Sequence, residues 1–217
     1  MAVLYFAAIA AGAYFLGGLN GAIITSRIVY REDIRKHGSG NAGLTNFYRT
    51  YGGRAIFLLI LIDVIKTALP VIAEGMILEG AFTFGTVEER VMIGRTWGGL
   101  FAIIGHAYPC LYGFKGGKGI LAGGTMVLFL DLRVFLILLL LFVLAVLFTR
   151  YVSLGSIATG IALPIAFLAL GMGLWPTLIA VLCAVFVTYC HRDNIARLLA
   201  GQERKFSLRK KREVDQS

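Results

Sequence analysis

The sequence predicts an all-α integral membrane protein, a bundle of seven transmembrane helices with the N-terminus outside and the C-terminus in the cytoplasm. Three observations carry that expectation. Of the 217 residues, 58% are hydrophobic and only 15% charged, with a mean hydropathy of +0.80, more apolar surface than one water-soluble core of this size can bury. The apolar residues come in runs that are apolar on every face, as from Val134 to Phe148, where a membrane β-strand would alternate. The basic residues gather in the short connections between those runs and in the tail, the pattern of cytoplasmic loops.

A bilayer core about 30 Å thick takes roughly 20 apolar helical residues per crossing, and only helices or closed barrels satisfy their own backbone there. The first span opens the chain, which carries no Lys or Arg before Arg27 and so lacks the basic start of a cleavable signal peptide. Further spans fit residues 54–78, 96–113, 119–131, 134–149, 154–173 and 176–190. The fourth is the weakest, with five glycines between Gly116 and Gly124 at its start and Asp131 closing it; a re-entrant segment is the alternative. All but four of the 21 Lys and Arg fall on one side of this arrangement; Arg90, Arg95 and Arg133 lie on the other, and Lys66 within the second span. The positive-inside rule then sets the orientation. Residues 1–200 read as one membrane domain and 201–217 as a basic, partly disordered cytoplasmic tail.

A net charge of +9 would suggest nucleic acid in a soluble protein; here topology explains it, and no nucleic-acid partner is expected. Cys110, Cys183 and Cys190 lie in or beside apolar segments without CxxC spacing, which specifies neither disulfide nor metal. Neither a metal nor another cofactor is expected.

The polar, glycine-rich stretches all fall in predicted inside connections: Gly38 to Arg49, Phe114 to Gly119, Arg150 to Ser156 and His191 to Arg197. Four loops at one face can build one site. Gly38, Gly40 and Gly43 match GxGxxG, but a membrane span precedes them rather than a strand, which argues against a dinucleotide fold. Glycines still let backbone N–H groups converge on an anion, with Ser39, Asn41, Thr45 and Asn46 adding side-chain hydrogen bonds and Arg49 a phosphate fork. Lys115, Gly116, Gly117, Lys118 and Gly119 form no Walker motif, yet suit a phosphate entering between helix ends. His191 is followed by Arg192, Asn194 and Arg197 at spacings that bring some of them to one cavity. His106 reads as a packing or hydrogen-bonding residue. Asp63 and Lys66, at i and i+3 within the second span, read as a structural ion pair.

The ordered set GSGNAGLTNFYR, DVIKTALP, GHAYPCLYGFKGGKG, RYVSLGSI and HRDNIARLLAGQE resembles the bacterial acyl-phosphate-dependent glycerol-3-phosphate acyltransferases over nearly the whole chain. The resemblance implies a seven-helix bundle in the bacterial plasma (inner) membrane with its active site facing the cytoplasm. It implies acyl transfer from a long-chain acyl phosphate to the sn-1 hydroxyl of glycerol 3-phosphate, giving lysophosphatidic acid and inorganic phosphate, by a unit expected to be a monomer. By motif, Ser39, Asn41, Thr45, Asn46, Arg49, Lys118, Ser156, His191 and Asn194 hold the substrate phosphates and the glycerol. Gly40 and Gly117 are placed with the substrate-binding set, and His191, Lys118 and Arg49 are the catalytic candidates. The chain departs from the family at Leu44, where Ala is common, at Thr67, where Gly is common, and at Ile120-Leu121-Ala122, where Val-Ala-Thr is common.

An acyl phosphate is already activated, so no Ser or Cys acyl-enzyme is required, and the protein's task is to position and neutralise. A substrate phosphate is expected to accept the hydroxyl proton. The rival readings are a transporter for a small phosphorylated anion, against which the lack of an inverted repeat counts, and a membrane phosphatase, for which no metal cluster or nucleophile constellation stands in the sequence.

Overall fold

The computed structural model describes residues 2–206. Among them ten α-helices follow in order: α1 (Ala2–Gly17), α2 (Gly21–Tyr30), α3 (Leu44–Tyr51), α4 (Ile56–Ala81), α5 (Val87–Ala107), α6 (Ile120–Leu130), α7 (Leu132–Thr149), α8 (Val152–Ala169), α9 (Leu174–Cys190) and α10 (Arg192–Leu199). Two 3-10 turns, Ile34–Lys36 and Cys110–Tyr112, sit in the loops.

The breaks have local causes. Asn20 ends the first apolar run by accepting a hydrogen bond from Ile23 N, which caps α2. Thr86 does the same for α5 through Glu89 N, with Glu88 and Glu89 in the first turn where the helix dipole favours them. Asp131 separates α6 from α7 and accepts from Arg133 N and Val134 N.

Helix α5 is the centre, packed against α1, α4, α6 and α9. Its glycines let neighbouring backbones approach: a side chain at Gly94 would strike the carbonyl of Glu74, and one at Gly105 that of Tyr14. Around it Val71, Leu78, Leu100, Ile103, Met126 and Phe167 form the main core. A smaller core of Ile23, Ile34, Phe47 and Leu59 fixes α2, α3 and the intervening loop onto α4. The outer surface is apolar: α7 buries only Val134 and Leu138 of its 18 residues, the signature of a helix that faces lipid.

The expected seven crossings are not what length and composition give. Four helical segments qualify, Val3–Tyr30, Ile56–Ala81, Leu132–Thr149 and Val152–Ala169, and a fifth if Leu174–Cys190 and Arg192–Leu199, bent by 59°, count as one. The expected span 96–113 fails because α5 begins at Val87 and carries Glu88, Glu89, Arg90 and Arg95. The span expected at 119–131 shrinks to the 11 residues of α6, about 16 Å of helix.

The start of the tail, Gly201 to Phe206, is docked: Phe206 N donates to Arg150 O at 2.7 Å, and Gln202 N to Arg197 O at 2.8 Å. Residues 207–217 of the expected tail lie outside the described residues.

Candidate active site

The four sequence segments meet at one end of the bundle. Ala42 N donates to Gly116 O, joining the two glycine-rich loops. Lys118 Nζ donates to Asn194 Oδ1 of α10. Asn194 Nδ2 donates to Glu203 Oε1 at 2.7 Å, as does Ser153 Oγ of α8 at 2.8 Å, and Arg197 Nε reaches Glu203 Oε2 at 2.7 Å. Arg49, at the end of α3, donates to Arg204 O at 3.1 Å, and the Tyr48 ring packs on Phe206. The Gly201–Phe206 segment therefore ties the first loop to α8 and α10.

The glycines act differently from the sequence expectation. Ser39 N is spent on Asn46 Oδ1 and Gly40 N on His37 O. Gly116 N and Gly117 N are spent on the carbonyls of Ala107 and His106 at the end of α5. These amides do not converge on an anion; the glycines permit close stacking, since a side chain at Gly117 would collide with the His106 ring and Ala42 O. Free donors remain at the starts of α3 and α6, which follow Gly43 and Gly119 without side-chain caps, and uncapped helix N-termini suit anions.

Asn46 is a clasp rather than an open ligand. It is buried, and its amide nitrogen donates to the carbonyls of His37 and Asn41, both at 3.0 Å. Asn41 and Thr45 flank it, and Ser39 and Gly40 are exposed. Ser156 is buried with its hydroxyl donating to Val152 O, one turn back; it is Ser153, one turn earlier, that joins the polar network.

His191 is buried, and its Nδ1 lies 2.8 Å from Val187 O. A carbonyl only accepts, so Nδ1 carries the proton and Nε2 keeps its lone pair. Burial, with the Lys118 charge adding, lowers its pKa to about 4 against the favourable Val187 bond and Glu203. The ring is neutral at pH 7, so its free Nε2 serves as a hydrogen-bond acceptor. Titration of His191 by nitrogen-15 NMR is expected to give a midpoint of about 4; a midpoint near 6.5, the ordinary imidazole value, would show the ring open to water.

Lys118 is lowered from its ordinary value by burial and by the neighbouring Arg197. For Glu203 burial would raise the pKa, but hydrogen bonds from Ser153, Arg197 and Asn194 outweigh it and hold the carboxyl below its usual range. It is thus an ionised organiser and a poor base. Sequence reasoning missed it because it stands beyond the last helix, although the HRDNIARLLAGQE motif ends on it. Among the described residues no group of three or more His, Cys, Asp or Glu could hold a metal.

A bundle with a lipid-facing apolar surface and, gathered at one end, Lys118, Arg49, Arg197, a neutral imidazole and two uncapped helix starts has the make-up of an integral membrane protein with a polar candidate site at that end. A profile described as glycerol-3-phosphate acyltransferase matches residues 7–201. The glycerol-3-phosphate acyltransferase of Syntrophomonas wolfei is 40% identical over 194 residues, 89% of this chain and 93% of that protein. That of Finegoldia magna is 38% identical over 206 residues, 94% and 98%. The crystal structure of PlsY (YgiH), an integral membrane glycerol 3-phosphate acyltransferase in its glycerol 3-phosphate form, superposes with a TM-score of 0.79 at 31% identity, covering 94% of this chain and 96% of that one. Its lysophosphatidic acid form gives 0.79 at 29%. The chain belongs to the glycerol-3-phosphate acyltransferase family of phospholipid synthesis.

Proposed function

We propose that this chain transfers an acyl group from acyl phosphate to the sn-1 hydroxyl of glycerol 3-phosphate, releasing lysophosphatidic acid and inorganic phosphate. It does so as a monomer without a cofactor, in the bacterial inner membrane, with residues 1–200 as one membrane domain. The observation that carries the reading is the convergence of Lys118, Asn194, His191 and Arg49 beside two uncapped helix starts, in a family whose members use glycerol 3-phosphate.

Two phosphorylated substrates repel each other, and Lys118, Arg49 and the helix starts offset that repulsion. Nε2 of His191 accepts a hydrogen bond from the glycerol hydroxyl and orients its oxygen toward the acyl carbonyl. The new C–O ester bond forms as the bond from the acyl carbon to the phosphate oxygen breaks, and the hydroxyl proton passes to the departing phosphate. A ring with a pKa of about 4 is too weak a base to keep that proton, which favours phosphate as the final acceptor. Purified protein given palmitoyl phosphate and radiolabelled glycerol 3-phosphate, with no acyl-CoA, is expected to make labelled lysophosphatidic acid. Absence of product would refute the reading.

Because attack is direct, a variant with Cys110, Cys183 and Cys190 all replaced by Ala should retain activity; Cys183 is buried and Cys110 and Cys190 partly so. Incubation with labelled acyl phosphate alone, followed by mass spectrometry, should show no acyl adduct, and a stoichiometric one discharged by glycerol 3-phosphate would overturn direct attack.

The charge asymmetry supports an orientation with the loop-rich end in the cytoplasm. In a cysteine-free background, a cysteine at Ser39 should resist an impermeant maleimide added to intact cells. Labelling there would reverse the orientation.

A further inference from the structure

Among the buried ionisable side chains that the chemistry above leaves unused, Asp63 and Lys66 of α4 and His106 of α5 form one cluster. Lys66 Nζ lies 2.7 Å from Asp63 Oδ1 and 2.9 Å from His106 Nδ1. The same Asp63 oxygen accepts from Gly21 N at 3.0 Å, where α2 begins. These two are the ionisable groups the imidazole meets from the elements packed on it. An ammonium has donors only, so Nδ1 must be the unprotonated nitrogen and Nε2 carries the proton. That Nε2 faces Gly117, whose missing side chain would fill the gap between it and Ala42 O.

Above the ring the two glycine-rich loops are bonded to each other and to their supports. Gly117 N donates to His106 O, Ala42 N to Gly116 O, and Asn20 Nδ2 to Ala42 O. Lys118 follows directly on Gly117. We infer that Asp63, Lys66 and His106 are positioning residues. The ion pair fixes the tautomer and tilt of the imidazole, the imidazole sets how closely Gly117 approaches Ala42, and that contact holds Lys118 where it meets Asn194. Well-packed apolar side chains could fill the same interior without the desolvation cost of two charges. The polar set is explained by the orientation it imposes. The kinetic part of this inference rests on the acyltransferase reading; the structural part does not.

Two variants test it. Asp63→Asn combined with Lys66→Met keeps an acceptor for Gly21 N and removes the ammonium from Nδ1. His106→Asn keeps an oxygen for Lys66 but no longer reaches Gly117. In hydrogen exchange read by mass spectrometry, both are expected to exchange faster than the wild-type chain at residues 38–46 and 114–119 while α7 and α8 keep their protection. In the palmitoyl phosphate assay, KM for glycerol 3-phosphate should rise roughly tenfold with little change in kcat. Unchanged exchange in both loops overturns the inference whether or not the chain is an acyltransferase. An inactive wild-type chain would refute the acyltransferase reading alone, with the exchange result still deciding the positioning.

Discussion

Lys118→Ala is expected to lower kcat/KM for glycerol 3-phosphate by roughly a hundredfold, as loss of a preorganised charge at developing negative charge commonly does. Lys118 is partly withdrawn from water, and burial already makes its ammonium harder to keep; in that setting its field on a phosphate is less screened than on the surface. Asn194 retains its bond to Glu203, so the fold should hold and the thermal midpoint should stay within a few degrees. Lys118→Arg should recover only part of the activity, because a planar fork does not replace a point charge. Steady-state rates with palmitoyl phosphate measure this, and an alanine variant with full activity would remove Lys118 from the site.

Glu203→Ala should damage both activity and stability. The carboxylate accepts from three donors, Ser153, Asn194 and Arg197, and its side chain is 7% exposed. Removing it strands all three and frees the Gly201–Phe206 segment that meets Arg49. Arg197 is 42% exposed and is re-solvated, so the loss comes mainly from the unpaired Ser153 and Asn194 groups, about 1 to 3 kcal/mol, which thermal unfolding in detergent would read as a fall in the midpoint. Its folded pKa lies below the ordinary 4.5, so this stabilisation is complete above about pH 4.5 and fades as the pH drops through the folded value. Glu203→Gln, which keeps an acceptor oxygen but loses the charge, should fall between. A stable, fully active alanine variant would contradict the network described for this end of the bundle.

The all-helical, lipid-embedded character was legible because it depends on composition, which no tertiary contact can reverse. The meeting of the four segments was legible for a similar reason: polar, glycine-rich stretches in connections assigned to one side come together in the structure. Side-chain direction was not legible. Ser153 and Ser156 lie one turn apart on α8, and sequence offers nothing to choose between them; the structure sends Ser153 to Glu203 and turns Ser156 back on its own helix. Asn46 looked like a ligand because amides bind phosphates, yet the same amide satisfies backbone groups that a tight loop would otherwise leave bare. The start of α5 was missed because Glu88, Glu89 and Arg90 read as a solvated connection, whereas the Thr86 cap makes them the first turn of a helix. Glu203 was missed because its meaning depends on a chain reversal after α10 that no local pattern announces.

Helix α7 carries a different lesson. With only Val134 and Leu138 buried, the outward surface of the helix answers to solvent quality instead of shape. Leu140, Leu147 and Phe148 can drift among Leu, Ile, Val and Phe over generations at almost no cost, since lipid tails fit any of them. A lysine at the middle of the same helix would cost about 3 kcal/mol of insertion. Evolution can therefore rewrite this stretch freely within one chemical alphabet, while Gly94 and Gly105 of α5, which touch neighbouring backbone, admit no synonyms.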